Sequence, residues 1–265
     1  MSRKKRVVVI ADLHCGNKVG LVHPAWRPPA ETYVFPGEDD LLRTQAALWQ
    51  HYADSIDALR PIDALIVNAD CIDGRGERSG GTELITTDID KQCDMAVDAI
   101  NYAGAPMIGM TYGTPYHTGT LVDHETRIAE KVGAQSIGGH EWFTVAGVTF
   151  DCKHKIGSST IPHGRFTALA REKLWAGLWE ARDVNPKSQV IVRSHVHYFV
   201  YCGGPDWLGV ITPALQGQGT KYGVRQCSGT VDFGLLWFDC QDGRLVDWGA
   251  KIAPAEMQKA EATVL

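Results

Sequence analysis

The sequence predicts an α/β fold in which two β-sheets pack together with helices outside them. Three observations predict it. Strands and helices alternate up to residue 112, which is typical of right-handed crossovers and a parallel sheet. The second half contains short strands joined by tight turns, which favours hairpins. The composition, with 44% hydrophobic and 22% charged residues, is sufficient for the core of a globular protein.

The first half is predicted to form the parallel sheet. Apolar runs predict its strands and apolar residues at helical spacing predict its helices. Asp39 and Asp40 can cap the first helix, Asp88 lies near the start of the second, and Gly133 closes the third. The predicted strands are 6–11, 63–67 and 107–112, and the predicted helices are about 39–59, 85–102 and 123–132.

The second half is predicted to be rich in hairpins, with one long helix at 163–181 that has apolar residues on or near one face. The predicted strands are 140–145, 148–152, 189–193, 198–202, 208–212, 235–240 and 244–252. No linker or repeat divides the chain, so we expect a single domain over residues 1–265, with loop excursions at about 15–38, 74–87 and 216–230.

The composition also restricts the class of protein. A formal net charge of -5 and a pI near 6.0 count against a surface that binds nucleic acid throughout, although a local basic strip would be compatible. The basic residues 3–6 precede an apolar run that is too short for a signal peptide, and no segment is long enough to span a membrane. Seven cysteines without a C-x-x-C pair predict reduced thiols and a cytoplasmic protein.

Aspartate and histidine residues follow the apolar strands at five places. In open α/β sheets, binding sites form at the carboxyl ends of the strands. Asp-x-His alone is a weak signal and His-x-His is moderately specific for a metal, but their recurrence at strand ends favours a common site. The residues concerned are Asp12 and His14, Asp70 and Asp73, His117, His154, and His195 and His197.

These residue types predict two divalent cations. Imidazole together with carboxylate suits Mn²⁺, Fe²⁺ or Zn²⁺ better than Mg²⁺ or Ca²⁺, which prefer oxygen ligands. Six or more candidate ligands exceed the needs of one tetrahedral ion and fit two ions that share a carboxylate. We expect Mn²⁺, with Fe²⁺ and Zn²⁺ as alternatives.

The series of motifs resembles that of the calcineurin-like metallophosphoesterase superfamily, from the first strand to about residue 197. The motifs are Asp12-x-His14, Ala69-Asp70-x-x-Asp73, Gly113…His117, His154 and Ser194-His195-x-His197. The resemblance implies a four-layer α-β-β-α sandwich. It also implies one ion on Asp12, His14, Asp70 and His197, and a second on Asp70, His154 and His195. A hydroxide held between the ions would attack phosphorus.

Three positions depart from the family pattern. Ala69 and Ser194 replace glycines and are small enough to be tolerated. Gly113-Thr114-Pro115-Tyr116-His117 stands where the family has Gly-Asn-His, so Thr114, His117 or a water would replace the asparagine ligand. By resemblance, His117 faces the leaving group and Asp73 orients it, with a ligand role for His117 as the alternative.

The resulting prediction is a metal-dependent phosphoesterase that hydrolyses a phosphodiester in preference to a monoester. Arg75, His163 and Arg165 are candidates for binding the substrate. A nuclease is one alternative. Another, from a different class, is a non-catalytic scaffold that retains the fold, for which the missing asparagine is the only support. The expected partner is a phosphate ester and not a membrane, and the sequence does not indicate an oligomeric state.

Overall fold

The structure, a computed structural model, describes residues 2–27, 29, 38–119, 121–219, 229–254 and 262. Its α-helices are α1 (Glu38–Leu59), α2 (Ile89–Tyr102), α3 (Pro115–Thr118), α4 (His124–Val132) and α5 (Pro162–Glu180). Its strands are β1 (Lys5–Ile10), β2 (Ala64–Val67), β3 (Ile108–Thr111), β4 (Ser136–Gly138), β5 (Glu141–Val145), β6 (Val148–Lys155), β7 (Val190–Ser194), β8 (Val200–Gly204), β9 (Trp207–Ile211), β10 (Gly234–Gln241) and β11 (Arg244–Ile252).

Two mixed sheets form the centre of the fold. The first has six strands in the order β11-β10-β1-β2-β3-β4, of which β1 to β4 are parallel. The second has five strands in the order β5-β6-β7-β9-β8, with β6, β7 and β9 parallel to one another. The predicted fold class, two packed mixed sheets with helices outside, is confirmed.

Alternation of side chains along each strand creates the four layers. In β1, Val8 and Ile10 pack with α1, α2 and α4 on the outer side of the first sheet. Val7 and Val9 point the other way and meet Phe150 and Val192 of the second sheet in the central core. The outer side of the second sheet packs under α5, through a cluster that includes Leu169 and Ile191. The order of layers is therefore α-β-β-α.

The sequence analysis assigned the parallel sheet to the first half of the chain and the hairpins to the second half. The two sheets of the structure do not divide the chain in this way. The last hairpin, β10 and β11, returns to the first sheet, where β10 pairs antiparallel with β1. Among the α-helices and strands, two short elements were not predicted. β4 has only three residues and ends in glycine, and α3 is a single turn. The prediction ended the strand before His154, whereas β6 extends to Lys155 and includes this residue.

The helix ends mostly follow their capping signals. The Asp88 carboxylate accepts from the backbone N–H groups of Asp90 and Lys91, and Asp123 accepts from that of Glu125. Gly133 ends α4 in the left-handed conformation, with φ 68°. The exception is α1, which begins at Glu38, so Asp39 and Asp40 lie inside its first turn and not before it.

Some sequence predictions concern residues at the limits of the described chain. The excursions at 15–38 and 216–230 contain residues 28, 30–37 and 220–228, which lie outside the described residues. Among the helices that are described, none is both long and apolar enough to cross a membrane. The described cysteines are free thiols, and Cys15, Cys71 and Cys152, which flank candidate ligands, are fully buried.

Candidate metal centre

The residues predicted from the strand ends converge at one edge of the two sheets. The loops after β1 and β2 run side by side, because the N–H of Asp12 donates to the carbonyl of Ala69 (2.9 Å) and that of His14 to the carbonyl of Asp70 (3.0 Å). The second sheet is joined to them where the N–H of His195 donates to the Asp12 carboxylate (3.2 Å). The metal-binding candidates of the two sheets therefore form one cluster.

The backbone is strained at this cluster. Asp12, His14, Asp70, His195 and His197 have positive φ angles of 52°, 44°, 48°, 79° and 57°. Non-glycine residues seldom adopt this conformation, although Asp and His tolerate it better than most. Strain of this kind persists only where the surrounding structure enforces it, and it is concentrated at functional sites. Within the described chain, these five residues are the majority of the nine non-glycine residues with positive φ.

A first group of ligand atoms consists of Asp12 Oδ1, His14 Nε2 and His197 Nε2. The two imidazole nitrogens are 3.3 Å apart, and His197 Nε2 is also 3.3 Å from Asp12 Oδ1. His14 Nε2 lies 3.9 Å from the same oxygen. Ligands about 2.0–2.1 Å from one tetrahedral ion lie roughly 3.3–3.5 Å from one another. The spacing of this group therefore suits a single cation.

A second group contains Asp70, His154 and His195, whose ligand atoms lie within 4.8 Å of one another. Asp70 Oδ2 is 3.0 Å from His154 Nε2 and 4.0 Å from His195 Nδ1. Asp70 also belongs to a third group with His14 and His117. Its carboxylate therefore lies between the first two groups, which is the position that a bridging ligand requires.

The hydrogen bonds of these residues leave lone pairs facing one another. His154 Nδ1 donates to the carbonyl of Asn68 (2.8 Å), so Nε2 of the neutral ring has no proton to share with Asp70. His14 Nδ1 similarly faces the Asp73 carboxylate at 3.1 Å. Asp12 Oδ1 and His154 Nε2 are both buried without a hydrogen-bond partner. Buried acceptors that face one another in this way are costly unless positive charge lies between them, either from a bound cation or from a proton. The donor set therefore fits divalent metal ions.

The electrostatic balance of the site also favours positive charge. Burial raises the pKa of Asp70, but the facing His154 and the nearby His117 and His14 outweigh burial and hold this pKa below its ordinary value. Burial lowers the pKa of His154, but Asp70 and Asp12 outweigh it and raise the pKa to about 10. In the absence of a metal, a proton on His154 would supply the charge that the two carboxylates require.

Thr114 lies beside Asp70 and donates to it. Its backbone N–H is 2.8 Å from Asp70 Oδ1, and its hydroxyl is 3.3 Å from each carboxylate oxygen. Gly113 is required for this approach, since a Cβ there would lie 2.0 Å from Asp70 Oδ1. The hydroxyl is thus directed at Asp70 and holds its orientation.

His117 and Asp73 are adjacent, but their contact differs from the expected one. His117 Nδ1 donates to the backbone carbonyl of Asp73 (2.9 Å), while the Asp73 carboxylate is 3.8 Å away. That carboxylate instead faces His14 and accepts from the Asn17 side chain (3.1 Å). Asp73 therefore orients His117 through its backbone and orients His14 through its side chain. Burial, and then the nearby His14, lower the pKa of His117.

A buried polar network supports the centre from behind. The Asn68 amide donates to Ser194 Oγ (2.6 Å) and accepts from Thr111 Oγ1 (2.9 Å), and Thr212 Oγ1 donates to Ser194 Oγ (2.7 Å). The carbonyl of Asn68 is the group that holds His154. This network connects the ends of β2 and β3 in the first sheet with β7 and β9 in the second. Its position fixes the two sheets relative to each other at the site.

Two further positioning residues were not found from the sequence. The fully buried Glu125 of α4 accepts from the N–H groups of Cys71 (2.9 Å) and Gly113 (2.7 Å), next to Asp70 and Thr114. Gln92 of α2 bonds both the N–H and the carbonyl of Gly74. Neither lies in a motif. Their only signal is a polar residue at a helix position that faces the core.

The candidate substrate-binding residues lie outside the ligand groups. Arg75 and His163 are exposed. Arg165, at the start of α5, stacks on the ring of Tyr198 at 4.0 Å, and its Nε and the Tyr198 hydroxyl are buried without a hydrogen-bond partner. Tyr198 follows His197 directly in the chain, so Arg165 lies close to the loop that carries a proposed ligand.

No protein-family model matches the chain, and no curated protein sequence matches it. Solved structures similar in fold include wild-type Vps29 from Entamoeba histolytica complexed with Zn²⁺ (12% identity, TM-score 0.46, covering 94% of this chain and 98% of that one). They also include an archaeal phosphodiesterase (11%, 0.46, 94% and 99%) and vacuolar protein sorting 29 from Cryptosporidium parvum (10%, 0.47, 95% and 98%). Because the sequence identities are only 10–12%, these similarities do not indicate a function for this chain.

Proposed function

We propose that this protein is a metal-dependent phosphoesterase that hydrolyses a phosphodiester at a centre for two divalent cations. The observation that carries the proposal is the convergence of Asp12 Oδ1, His14 Nε2, His154 Nε2 and His197 Nε2 at one place, where Asp12 Oδ1 and His154 Nε2 are buried without a hydrogen-bond partner. Buried acceptors are costly unless positive charge lies between them, and the strained backbone at Asp12, His14 and His197 indicates that the arrangement has a function.

Asp12, His14 and His197 would hold one ion, and His154 and His195 the other, with Asp70 shared between them. A set of imidazoles and carboxylates suits Mn²⁺, with Fe²⁺ and Zn²⁺ as alternatives. When bound, two such cations would supply Lewis-acid polarisation of a phosphoryl oxygen and lower the pKa of a water molecule towards neutrality.

The protein's own groups would position the ligands and serve the leaving group. The Asp73 carboxylate and the Asn68 carbonyl fix the rings of His14 and His154 with Nε2 directed into the centre. His117, whose side chain is 18% exposed, reaches the mouth of the site. We assign it the stabilisation or protonation of the leaving oxygen, which uses a second proton on Nε2 because Nδ1 donates to the Asp73 carbonyl, with a ligand role as the alternative.

A phosphodiester is favoured over a monoester by the charges around the centre. The side chains that face the carboxylates of Asp12 and Asp70 are imidazoles and the uncharged Thr114 hydroxyl. Among the described residues, the candidate substrate-binding arginines are the exposed Arg75 and Arg165, which stacks on Tyr198. A monoester brings one more negative charge than a diester and would require closer cationic groups. Arg75, His163 and Arg165 would contact the remainder of the substrate. Nucleic acid remains one class of diester to be tested.

The test compares hydrolysis of bis-p-nitrophenyl phosphate and p-nitrophenyl phosphate, with added Mn²⁺ and with a chelator. The expected result is cleavage of the diester in preference to the monoester, lost on chelation and restored by Mn²⁺. Preference for the monoester would contradict the substrate class. Cleavage that is insensitive to the chelator would contradict the metal-dependent mechanism. Bound metal without turnover of either ester, or of single-stranded DNA and RNA, would favour the scaffold.

A further inference from the structure

Helix α5 has an unusually apolar solvent-facing side. It covers the second sheet with Ala168 and Leu169, and its opposite side is exposed. The exposed positions from residue 161 to residue 179 are Ile161, Pro162, His163, Phe166, Thr167, Ala170, Arg171, Leu174, Trp175, Leu178 and Trp179. Eight of these eleven are apolar, and Arg171 is the only arginine or lysine among them. This set of positions is called the α5 face below.

The helix is therefore apolar on its exposed side as well as on its buried side, unlike an ordinary surface helix. Glu172 turns towards the sheet, where it bonds Arg193 and Lys153 at 2.8 and 2.9 Å. A surface helix normally places its charged residues in water and its apolar residues against the core. A helix that is apolar on both sides is one that is covered on both sides. The sequence predicted apolar residues on or near one face of this helix, and of its leucines and tryptophans only Leu169 is buried.

The exposed apolar area is large for a monomer. Six large side chains of the α5 face, Ile161, Phe166, Leu174, Trp175, Leu178 and Trp179, are each between 42% and 61% exposed. At about 100 Å² each they present roughly 600 Å², at the upper end of the 300–600 Å² of the largest patch on a typical monomer. With the small residues between them, the area approaches the roughly 800 Å² per partner of a standard interface.

We propose that the α5 face is the interface of a homodimer. Two features favour a second copy over a transient partner. Permanent homodimer interfaces are more apolar than the rest of the surface, whereas transient interfaces are not, and eight of the eleven exposed positions here are apolar. Tryptophan and phenylalanine are enriched in such interfaces, and lysine, glutamate and aspartate are depleted. The last three do not occur among the exposed positions of the α5 face.

The face is also self-complementary. Phe166, Ala170, Leu174 and Leu178 form one ridge at intervals of four residues, and helices with such ridges can interdigitate with their own copies. In an antiparallel pairing about a two-fold axis between Leu174 and Trp175, Leu174 lies opposite Trp175 of the second copy. The same axis places Arg171 opposite Leu178 of the second copy and away from the other Arg171. A two-fold contact of this kind forms a closed dimer and not an open chain of subunits.

The experiment measures the mass of the full chain in solution by light scattering during gel filtration, at about 5 to 100 µM. The wild type is expected at twice the 29.0 kDa of one chain. The double variant Leu174→Glu/Leu178→Glu is expected at the mass of one chain. Both positions are exposed helix sites, so its far-UV circular dichroism should remain that of the wild type.

The matched control is Val246→Glu, which introduces the same charge at an apolar residue on β11 that is 55% exposed. This variant should stay dimeric. A wild type that is monomeric over the whole range, or a double variant that stays dimeric, would overturn the proposal. A monomeric wild type that binds phosphatidylcholine–phosphatidylglycerol vesicles, with binding lost in the double variant, would instead assign the α5 face to a lipid surface.

Discussion

The requirement for a cation can be traced to single atoms. The Nδ1–H of His154 donates a hydrogen bond to the carbonyl of Asn68. Its Nε2 faces Asp70 at 3.0 Å and Asp12 at 3.8 Å. The same logic applies to His14, whose Nδ1 is occupied by Asp73 while Nε2 faces His197. Each ring is thus fixed in the tautomer that a metal ligand needs.

His117 is the residue whose role an alanine substitution can decide. If it serves the leaving group, His117→Ala should lower turnover about 10²–10⁴-fold on esters with poor leaving groups, and much less on p-nitrophenyl esters, which need little protonation. Bound Mn²⁺ per chain should not change. The matched control is His23→Ala, which removes a half-buried imidazole away from the centre. Loss of one metal equivalent in the His117 variant would show that His117 is a ligand.

Glu125 predicts a pH dependence of stability. Burial, and then the charge of Asp70, raise its pKa from 4.5 to about 8. The folded chain therefore retains a proton that the unfolded chain releases, and this contribution to stability is present at low pH. It is lost as the pH rises from about 4.5 through about 8.

The variant Glu125→Gln removes this titration, so its Tm should fall less than that of the wild type between pH 5 and pH 8. The measurement is thermal unfolding in the presence of a chelator, because a bound metal would change the charge of the site. Other titrating groups are common to both proteins and cancel in the comparison. Equal slopes for the two proteins would show that Glu125 is already ionised at pH 5.

At the scale of elements, the centre depends on contacts that join strands of different sheets. Asn68, Thr111, Ser194 and Thr212 tie the ends of four strands together, and all four are buried. The loops that follow parallel strands of one sheet lie at the same edge of that sheet. The loops of a second sheet meet them only if the two sheets keep a fixed position relative to each other. The network fixes that position next to the ligands.

A second buried network ties α5 to the outer side of the second sheet. Arg193 of β7 is 1% exposed and bonds Asp151 of β6 and Glu172 of α5, each at 2.8 Å. Arg193→Met should cost about 3–5 kcal/mol of unfolding free energy in urea, because it leaves two carboxylates without their buried partner. Lys153→Met removes a more exposed partner of Glu172 and should cost less than about 1 kcal/mol. Similar costs for the two variants would contradict this account of the network.

Sequence patterns identified the elements that have strong local signals. The Asp88 and Asp123 caps, the apolar runs of β1, β2 and β7, and the 163–181 helix all carry such signals. By contrast, β4 is three residues ending in glycine and has no apolar run. The pairing of β10 with β1 aligns Phe238 with Val7, and this long-range choice is decided by packing between the sheets and not by either strand alone.

The site was predictable to the extent that it lies in short motifs. Asp12 with His14 and His195 with His197 follow apolar strands directly, so both their location and their metal chemistry could be inferred. Glu125 and the network around Asn68 could not, because their role depends on which backbone groups the fold brings near them. The same limit applies to Asp73, where the choice between His14 and His117 is set by sub-ångström placement of two loops.

For the molecule as a whole, the two proposals occupy different places. The metal centre lies at the carboxyl edge of the two sheets, and the α5 face lies on the outer side of the second sheet. His163 belongs both to the α5 face and to the candidate substrate residues, but the variants Leu174→Glu and Leu178→Glu change no candidate ligand or substrate residue. The two proposals can therefore be tested independently, and failure of one would leave the other standing.

The central claim is that this chain binds two divalent cations around Asp70. The most direct measurement is the number of Mn²⁺ ions bound per chain, by elemental analysis after loading and desalting, for the wild type and for Asp70→Ala. The account predicts two ions in the wild type, and loss of both metal and diester hydrolysis in the variant. The control Asp206→Ala, at an exposed position, should retain both. A wild type that binds no metal, or an Asp70 variant with normal metal content and turnover, would contradict the account.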